Sequence, residues 1–330
     1  VGHSLKEGTD CYADKVVMVT GAGGSIGAEL CRQILACRPK TLLLFELSDL
    51  ALYNADMELR NLVEGSGIGI VPILGSITDT RLVRKTLTNH NVQIVVHAAA
   101  YKHVPLVEAN ALAGLVNNVF GTQTVAQQAR AAGVERFILI SSDKAVRPTN
   151  IMGATKRIAE GYCQALDLKR GAADGTRFVT VRFGNVLGST GSVVPLFQKQ
   201  LSTGGPLTVT DPQMERYFMT IEEACQLILQ SLVLGKDNEI LVLDMGQPVK
   251  IKSLAERMIA LSGKAKDIKI SITGLRTGEK LYEELHYDIE NLEPTKVAKI
   301  SGVKKAQVQT SQLPELIKQG HQAALKFEQA

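Results

Sequence analysis

Residues 141–144 read Ser-Ser-Asp-Lys, and residues 152–156 read Met-Gly-Ala-Thr-Lys. The first run sets a hydroxyl (Ser142), a carboxyl (Asp143) and an amine (Lys144) side by side. Such a set can deliver a proton at one atom and remove one at another. The second run carries a further amine, Lys156, beyond Met152. A thioether carries no proton at neutral pH. If the chain is an enzyme, Asp143 and Lys144 are the candidates for its proton chemistry. Lys144 must be neutral to act as a base. Burial favours the neutral amine and the adjacent Asp143 carboxylate favours the ammonium. Residue types leave open which prevails. The plain alternatives are a turn aspartate, surface lysines and a methionine that packs a helix.

A second constellation lies near the start. Thr20-Gly21-Ala22-Gly23-Gly24-Ser25-Ile26-Gly27 follows an apolar, β-branched run and opens a helical pattern. Gly21, Gly24 and Gly27 allow a tight turn, close approach of backbone to a pyrophosphate, and helix–strand packing. The helix start at Ser25 and Ile26 offers free N–H groups and a positive dipole end to phosphates. Glu46 ends the next strand, where a carboxylate accepts bonds from ribose hydroxyls and repels a 2′-phosphate. The expected cofactor is NAD. Asn118 falls inside a helical segment, a poor place for Asn, and is read as holding a bend beside the site.

These groups need a scaffold. Short apolar runs at 16–20, 41–46, 68–74, 94–98, 136–141 and 178–183 alternate with helical patterns at 25–37, 50–63, 80–90, 111–132 and from Met152 onward. Strands buried on both faces with helical crossovers predict an α/β fold, a doubly wound parallel sheet of the Rossmann type. A turn at Ala173–Gly175 precedes the strand at 178–183. After Gly184, glycines and prolines such as Gly188, Gly191, Gly204, Gly205 and Pro206 break the alternation. A helix at 221–234 and a strand at 239–244 are expected to return to the main sheet. A helix at 251–262 and a strand at 267–272 are assigned to a second lobe. The predicted division is residues 1–184 with 221–245 as an NAD-binding unit, and 185–220 with 246–330 as a smaller substrate-binding lobe.

Composition removes several function classes. The net charge is +4 over 330 residues, with no dense Lys/Arg run or interleaved aromatics. Nucleic acid is therefore not an expected partner. The five cysteines are scattered without a C-x-x-C pair, which argues against a zinc site or disulfide framework and for a reducing compartment. The six histidines lack ligand spacing, so no metal is expected. No apolar run approaches the roughly 20 residues that span a bilayer. No signal peptide is visible. The chain begins at Val1 without Met, and a preceding segment is expected.

Five motifs occur in order. They are the glycine loop, His97-Ala98-Ala99-Ala100-Tyr101-Lys102-His103-Val104-Pro105, Ser142-Asp143-Lys144, Arg182-Phe183-Gly184-Asn185-Val186-Leu187-Gly188, and Gly274-Leu275-Arg276-Thr277-Gly278-Glu279-Lys280-Leu281. Together, over roughly residues 14–300, they resemble the bacterial UDP-N-acetylglucosamine 4,6-dehydratases of polysaccharide and glycoprotein-sugar biosynthesis. These are extended short-chain dehydrogenase/reductases. In that superfamily the segment at 152–156 reads Tyr-x-x-x-Lys, and the tyrosine is the acid/base. Met152 departs from that pattern and matches the large, membrane-anchored, configuration-retaining subgroup, in which Met at this place is part of the pattern.

The resemblance implies internal redox chemistry. NAD takes a hydride from C4 of the sugar, the ketone acidifies the C5 proton, water leaves across C5/C6, and the hydride returns to C6. The product is UDP-2-acetamido-2,6-dideoxy-alpha-D-xylo-4-hexulose. Related dehydratases carry Thr-Asp-Glu where this chain has Ser142-Asp143-Lys144. Ser142 then takes the hydroxyl position, Asp143 is the acid at the 6-hydroxyl and Lys144 the base at C5. Exclusion of water by the sugar would help Asp143 keep its proton. Lys156 holds the nicotinamide ribose, and Ala98, Ala99, Ala100 and Asn118 lie with the cofactor. Arg276 and Asn185 are candidates for the UDP diphosphate, Arg216 for a further nucleotide contact, and Glu279, Lys102 and His103 for the sugar side. Gly75-Ser76-Ile77 replaces the family's Gly-Asp-Ile, leaving Ser76 to hydrogen-bond and Ile77 to pack the adenine.

A homo-oligomer, a cytoplasmic setting and a membrane tie only through a segment outside this chain also come with the resemblance. Two rivals stand beside it. A UDP-sugar 4-epimerase shares the fold and the hydride step, but needs no acid at C6 or base at C5. A catalytically silent NAD-binding scaffold would account for the missing tyrosine. The group that accepts the 4-hydroxyl proton stays open between Ser142 and Asp143.

Overall fold

The structure, a computed structural model, describes residues 8–168, 175–235, 239–263, 267–287, 291–304 and 312–328. Residues 173 and 174 of the expected turn lie outside them. Six strands build the first half: Val16–Thr20 (β1), Thr41–Glu46 (β2), Gly69–Leu74 (β3), Ile94–His97 (β4), Arg136–Ile140 (β5) and Arg177–Arg182 (β6). They pair in parallel in the order β3-β2-β1-β4-β5-β6. Helices connect them: Ser25–Ala36 (α1), Asp49–Leu62 (α2), Thr80–Asn89 (α3), Val104–Ala109 (α4), Ala111–Leu115 (α5), Gly121–Ala131 (α6) and Ile151–Leu168 (α7). This is the doubly wound Rossmann arrangement. Strand order reverses between β1 and β4, and the crevice beyond the carboxyl ends of those strands is where such sheets take ligands.

The strands are apolar throughout because both faces are covered. Val17, Val19, Leu42, Leu44, Ile94 and Val96 feed one core. The alternate residues Val16, Met18, Leu43, Phe45 and Val95 feed another on the opposite face. That is the two-residue period of a strand read twice. Ser48 caps α2 and Asp79 caps α3 by accepting backbone N–H bonds. At α1 the cap position is Gly24, without a side chain to do so. The first N–H groups of that helix are left open to the crevice.

Three features differ from the sequence reading. The helix expected over 111–132 is broken: α5 and α6 flank a π-helical turn, Val116–Phe120. An inserted residue widens a helix there, and hydrophobic periodicity does not reveal one. Residues 104–109 form α4, with Pro105 in its first turn, a place that suits proline.

The third concerns the lobe. Ile240–Leu243 joins β6 in parallel, as expected for 221–245. The stretch 246–330 is not all lobe, however. Ile300–Lys304 and Asn291–Pro294 add antiparallel strands to the same edge, giving a nine-stranded sheet among the described residues. The helix Leu313–Glu328 packs on α7, and His321 stacks on Phe120 with ring centroids 4.6 Å apart. The lobe proper has its own smaller core of Phe197, Leu207, Val209, Ile251, Ile259 and Ile268. Its strands Leu207–Val209 and Ile270–Ile272 pair in parallel.

Among the described residues, no helix is long and apolar enough to cross a membrane. No cluster of three or more His, Cys, Asp or Glu among them could hold a metal ion.

Candidate active site

The glycine loop turns at the end of β1. Gly21 has φ +66°, a conformation that suits glycine, and its carbonyl accepts from Gly24 N at 3.0 Å. A Cβ on Gly27 would sit 1.9 Å from that same carbonyl oxygen, and one on Gly21 would sit 2.9 Å from Ala99 Cα. Only backbone fits here, and the bare loop leaves a cradle at the start of α1. A cavity of about 870 Å³ opens above it. Gly21, Gly24, Ser25, Ile26, Gly27, Glu46, Ser76, Ile77, Ala98, Ala99 and Ala100 line it, with Lys102 and His103.

Glu46 is oriented by the loop it faces. Its Oε1 accepts from Gly23 N at 3.0 Å and its Oε2 from Ser48 N at 2.9 Å. The carboxylate is thus fixed at the strand end with acceptor capacity remaining for ribose hydroxyls. Ser76 Oγ lies 2.7 Å from Thr78 Oγ1, and Ile77 is buried. The size, the cradle and the fixed carboxylate fit a dinucleotide without a 2′-phosphate.

On the far side, Lys102 Nζ donates to Thr190 O at 3.3 Å, and Thr190 N donates to Ser25 Oγ at 3.1 Å. Residue 190 therefore bridges the glycine-loop helix and the 102–103 segment. Burial lowers the pKa of Lys102; burial, then the Lys102 charge, lowers that of His103.

Asn118 has no place in the cavity wall. It is buried in the π-helical turn, where its Oδ1 accepts from Tyr101 N at 2.8 Å and its Nδ2 donates to Tyr101 O at 3.0 Å and Thr155 Oγ1 at 3.0 Å. There the side chain is an internal brace that fixes the chain beyond β4 and ties it to α7.

Met152 is buried in the first turn of α7. Lys156, one turn on, donates to Ile140 O at 3.1 Å. Burial brings its pKa down to about 8, against the opposing pull of Glu160. Glu160 anchors α7 to the sheet. It accepts from Ser141 Oγ at 2.7 Å and from the fully buried Arg182 at 2.8 and 2.9 Å. Burial pushes its pKa up, but the charge and hydrogen bonds of Arg182, with Arg157 and Ser141, together leave it lowered. The sequence reading had not marked this pair.

At the end of β5, Ser142 caps a short turn, Asp143–Ala145. Its Oγ accepts from Lys144 N at 3.2 Å and donates to Asp143 Oδ1 at 3.1 Å. Asp143 is fully buried. Lys144 Nζ reaches Asp143 Oδ1 at 3.2 Å. Asp143 Oδ2 is buried with no hydrogen-bond partner, directly under Gly184, where a Cβ would lie 3.2 Å from it. Asn185 follows, and its Oδ1 is also buried without a partner. Both are buried acceptors whose hydrogen-bonding capacity is unmet.

The lobe brings a residue the sequence reading missed. Glu283, 7% exposed, approaches Lys144 Nζ at 3.8 Å from the side opposite β5. Burial raises its pKa; Lys144, Arg216 and Lys280 pull it down and Asp143 pushes it up. The residue lies just past the Gly274–Leu281 motif in an irregular segment, where no periodicity marks a buried acid.

Arg216 is held within the lobe. It is buried, donates to Glu215 O at 2.7 Å and Leu281 O at 3.2 Å, and faces Glu279 at 3.9 Å and Glu283 at 4.0 Å. The strand pairing of residue 216 with Val249 turns this guanidinium into the lobe, so it holds the 279–283 segment. Arg276 is exposed, and its backbone N–H donates to Glu279 Oε2 at 3.1 Å. Gly278 O accepts from Thr149 Oγ1 at 2.8 Å and Asn150 Nδ2 at 3.1 Å. That latch sets the segment against the loop between Lys144 and α7.

Comparison with known proteins accords with this geometry. The model of a family described as polysaccharide biosynthesis protein matches residues 17–305. The capsular polysaccharide biosynthesis protein CapD of Staphylococcus aureus is 48% identical over 273 residues, which are 82% of this chain and 45% of that protein. The chain thus spans about half the length of the curated relatives it matches first. An inverting UDP-N-acetylglucosamine 4,6-dehydratase of Campylobacter jejuni is 30% identical over 290 residues, 85% of this chain and 82% of that protein. The X-ray structure of Pen from Bacillus thuringiensis superposes with a TM-score of 0.80 at 33% identity, covering 90% of each chain. Relatives at this level comprise nucleotide-sugar 4,6-dehydratases and 4-epimerases.

Proposed function

This chain belongs to the polysaccharide biosynthesis protein family, and we propose that it is an NAD-dependent 4,6-dehydratase of UDP-N-acetylglucosamine that retains the configuration at C5. The observation that carries this reading is the pairing of buried Asp143 with half-buried Lys144, an acid and an amine 3.2 Å apart at the end of β5. Elimination of water needs a group that gives a proton to the leaving hydroxyl and one that takes a proton from the neighbouring carbon. Epimerisation at C4 needs neither.

NAD, when bound, supplies the hydride acceptor at C4 and the hydride donor at C6. The chain's residues do the rest. The glycine loop and the start of α1 hold the diphosphate, Glu46 the adenosine ribose, and Lys156 the nicotinamide ribose. Lys144 takes the C5 proton and returns it to the same face, which gives retention. Asp143 protonates the departing 6-hydroxyl. Ser142 holds Asp143 in place and Asn185 donates to the sugar nucleotide. Arg276 and Lys102 are the cations for the UDP diphosphate and the sugar side, with His103 beside them. Met152 packs, and the absence of a tyrosine there marks the retaining subgroup. In this reading the nine-stranded unit holds the cofactor and the lobe around Phe197 holds the UDP moiety. The cysteines are free thiols, which supports a reducing, cytoplasmic setting.

Mass spectrometry after incubation with UDP-N-acetylglucosamine, without added reductant, tests the reading. Loss of one water is expected. An isobaric product would make the chain an epimerase, and an unchanged sugar with NAD bound would make it a scaffold.

A further inference from the structure

Thr190 is held at both of its backbone polar groups by side chains from two walls of the cofactor cavity. Its N–H donates to Ser25 Oγ at 3.1 Å, and its carbonyl accepts from Lys102 Nζ at 3.3 Å. Ser25 Oγ in turn donates to Thr190 Oγ1 at 3.3 Å. Ser25 opens α1, Lys102 lies beyond the end of β4, and both line the cavity. The 188–192 loop therefore runs across the cavity from wall to wall.

The loop arrives there as a formed turn. Ser192 N donates to Ser189 O at 3.2 Å, and Ser192 Oγ donates to the same oxygen. Gly191, third in that turn, has φ +74°, a place that calls for glycine. It rests on His103, where an added Cβ would stand 2.7 Å from the ring Cε1. The strand Asn185–Leu187 precedes the loop, and the helix Val193–Ser202 follows it and supplies Phe197 to the lobe core. The crossing is thus a piece of the lobe laid over the nucleotide-binding unit. Its three bonds are solvent-exposed, so they can break and re-form without unfolding either unit.

A dinucleotide in the pose proposed above has its adenosine at Glu46, its nicotinamide ribose at Lys156 and its diphosphate between them at the start of α1. That is where the loop crosses. Resting on the NAD site of that reading, we propose that residues 188–192 form a strap over the diphosphate of the cofactor, which opens at Thr190 to let the dinucleotide in or out and stays shut through turnover. The reaction gives the strap a purpose. Hydride leaves C4 and returns to C6 within one cycle, so the reduced cofactor must be kept between the two steps. A group that merely contacts the dinucleotide slows its release alone, whereas a strap slows release and entry together.

Two variants push the strap in opposite directions, with NADH as the probe, followed by its own fluorescence. Ser25→Cys/Thr190→Cys sets two thiols where the hydroxyl oxygens stand 3.3 Å apart, within reach of a disulfide after a small adjustment. Loaded with NADH and then oxidised, this protein should release the probe at least about 100-fold more slowly than when reduced, and protein oxidised before loading should take it up more slowly by a like factor. Wild type given the same oxidant controls for the five native cysteines. Gly191→Val puts a β-branched residue at positive φ, which breaks the turn. Association and dissociation should then both quicken by about tenfold, with Kd within about threefold of wild type. A cross-linked protein that exchanges NADH as its reduced form does overturns the proposal. So does a cysteine pair that fails to cross-link, because residues 25 and 190 then do not meet. Gly191→Val with unchanged association, whatever its rate of release, overturns it too and leaves the loop a plain contact. If Gly191→Val does not fold, the cross-link decides alone. Wild-type protein that binds no dinucleotide removes the NAD site and this inference together. Wild-type protein that dehydrates the sugar, beside a cross-linked form that exchanges NADH freely, removes this inference alone.

Discussion

Asn118 holds the backbone of Tyr101 by both of its polar groups, accepting from the N–H at 2.8 Å and donating to the carbonyl at 3.0 Å. It is a side-chain mimic of strand pairing, placed where β4 has ended and the chain must still be held beside the cavity. The π-helical turn of residues 116–120 aims it there. Replacing Asn118 by Ala leaves two backbone groups and Thr155 without their partner. Unmet buried groups cost about 1–3 kcal/mol each. Urea unfolding of Asn118→Ala should show a loss of about 2–4 kcal/mol, with weaker dinucleotide binding because Tyr101 and Lys102 line the site. A stability within about 0.5 kcal/mol of wild type would mean the brace carries no strain.

This pair also shows where the sequence was readable. The glycine loop, Glu46 and the Asp143–Lys144 pair are each local: a strand, a turn and the few residues after it. Their chemistry and position follow from neighbouring residues alone. The parallel sheet was readable for the same reason, since strands buried on both faces carry no polar alternation. Asn118 was read as holding a helix bend beside the site, but its partners were not legible, because they come from beyond the end of a different strand and from α7. Arg216 was read as a candidate nucleotide contact, and short-range sequence does not tell that its two-residue strand pairs with residues 249–250. Glu283 was not noticed, because its importance exists only once the lobe folds over β5.

Gly27 tests the cradle. An added Cβ would fall 1.9 Å from the Gly21 carbonyl oxygen and 2.7 Å from its carbon. Both are backbone atoms, so no rotamer change relieves the clash. The loop must open, and the N–H groups at the start of α1 lose their aim. Gly27→Ala is expected to lose NAD affinity by about 100-fold, close to 3 kcal/mol. Isothermal titration with NAD reads this directly, with circular dichroism as the check on fold. Folded Gly27→Ala that binds NAD as the wild type does would show that the dinucleotide sits elsewhere.

Asp143 and Lys144 can be separated by isotope. In deuterium oxide, with NAD bound, Asp143→Asn keeps the proposed base at C5 and loses the proposed acid at the 6-hydroxyl. It should release little ketosugar and return UDP-N-acetylglucosamine carrying deuterium at C5. Lys144→Ala should do neither while still holding NAD. Each should lower the formation of product by about 100-fold or more. Mass spectrometry of recovered sugar distinguishes them, and full activity of Lys144→Ala would remove it as the base.

Lys156 carries a stability that depends on pH. Burial lowers its pKa from 10.5 to about 8, so between those values the unfolded chain binds the proton that the folded chain has released. Stability then rises with pH through this window. The lysine's contribution is fully present above the unfolded value and is lost as pH falls through about 8. Lys156→Met removes the buried ammonium and keeps most of the side-chain volume. Without cofactor, the variant should be more stable than wild type near neutrality, by up to about 3 kcal/mol on a shift of this size. The advantage should shrink as the pH rises toward the unfolded value. NAD should stabilise it less than wild type, because the amine proposed to hold the nicotinamide ribose is gone. Thermal melts of both proteins across that range, with and without NAD, check the two statements. A stability difference that stays constant with pH would show that Lys156 is held charged in the fold, and the ammonium would then rest on its bond to the Ile140 carbonyl and on Glu160.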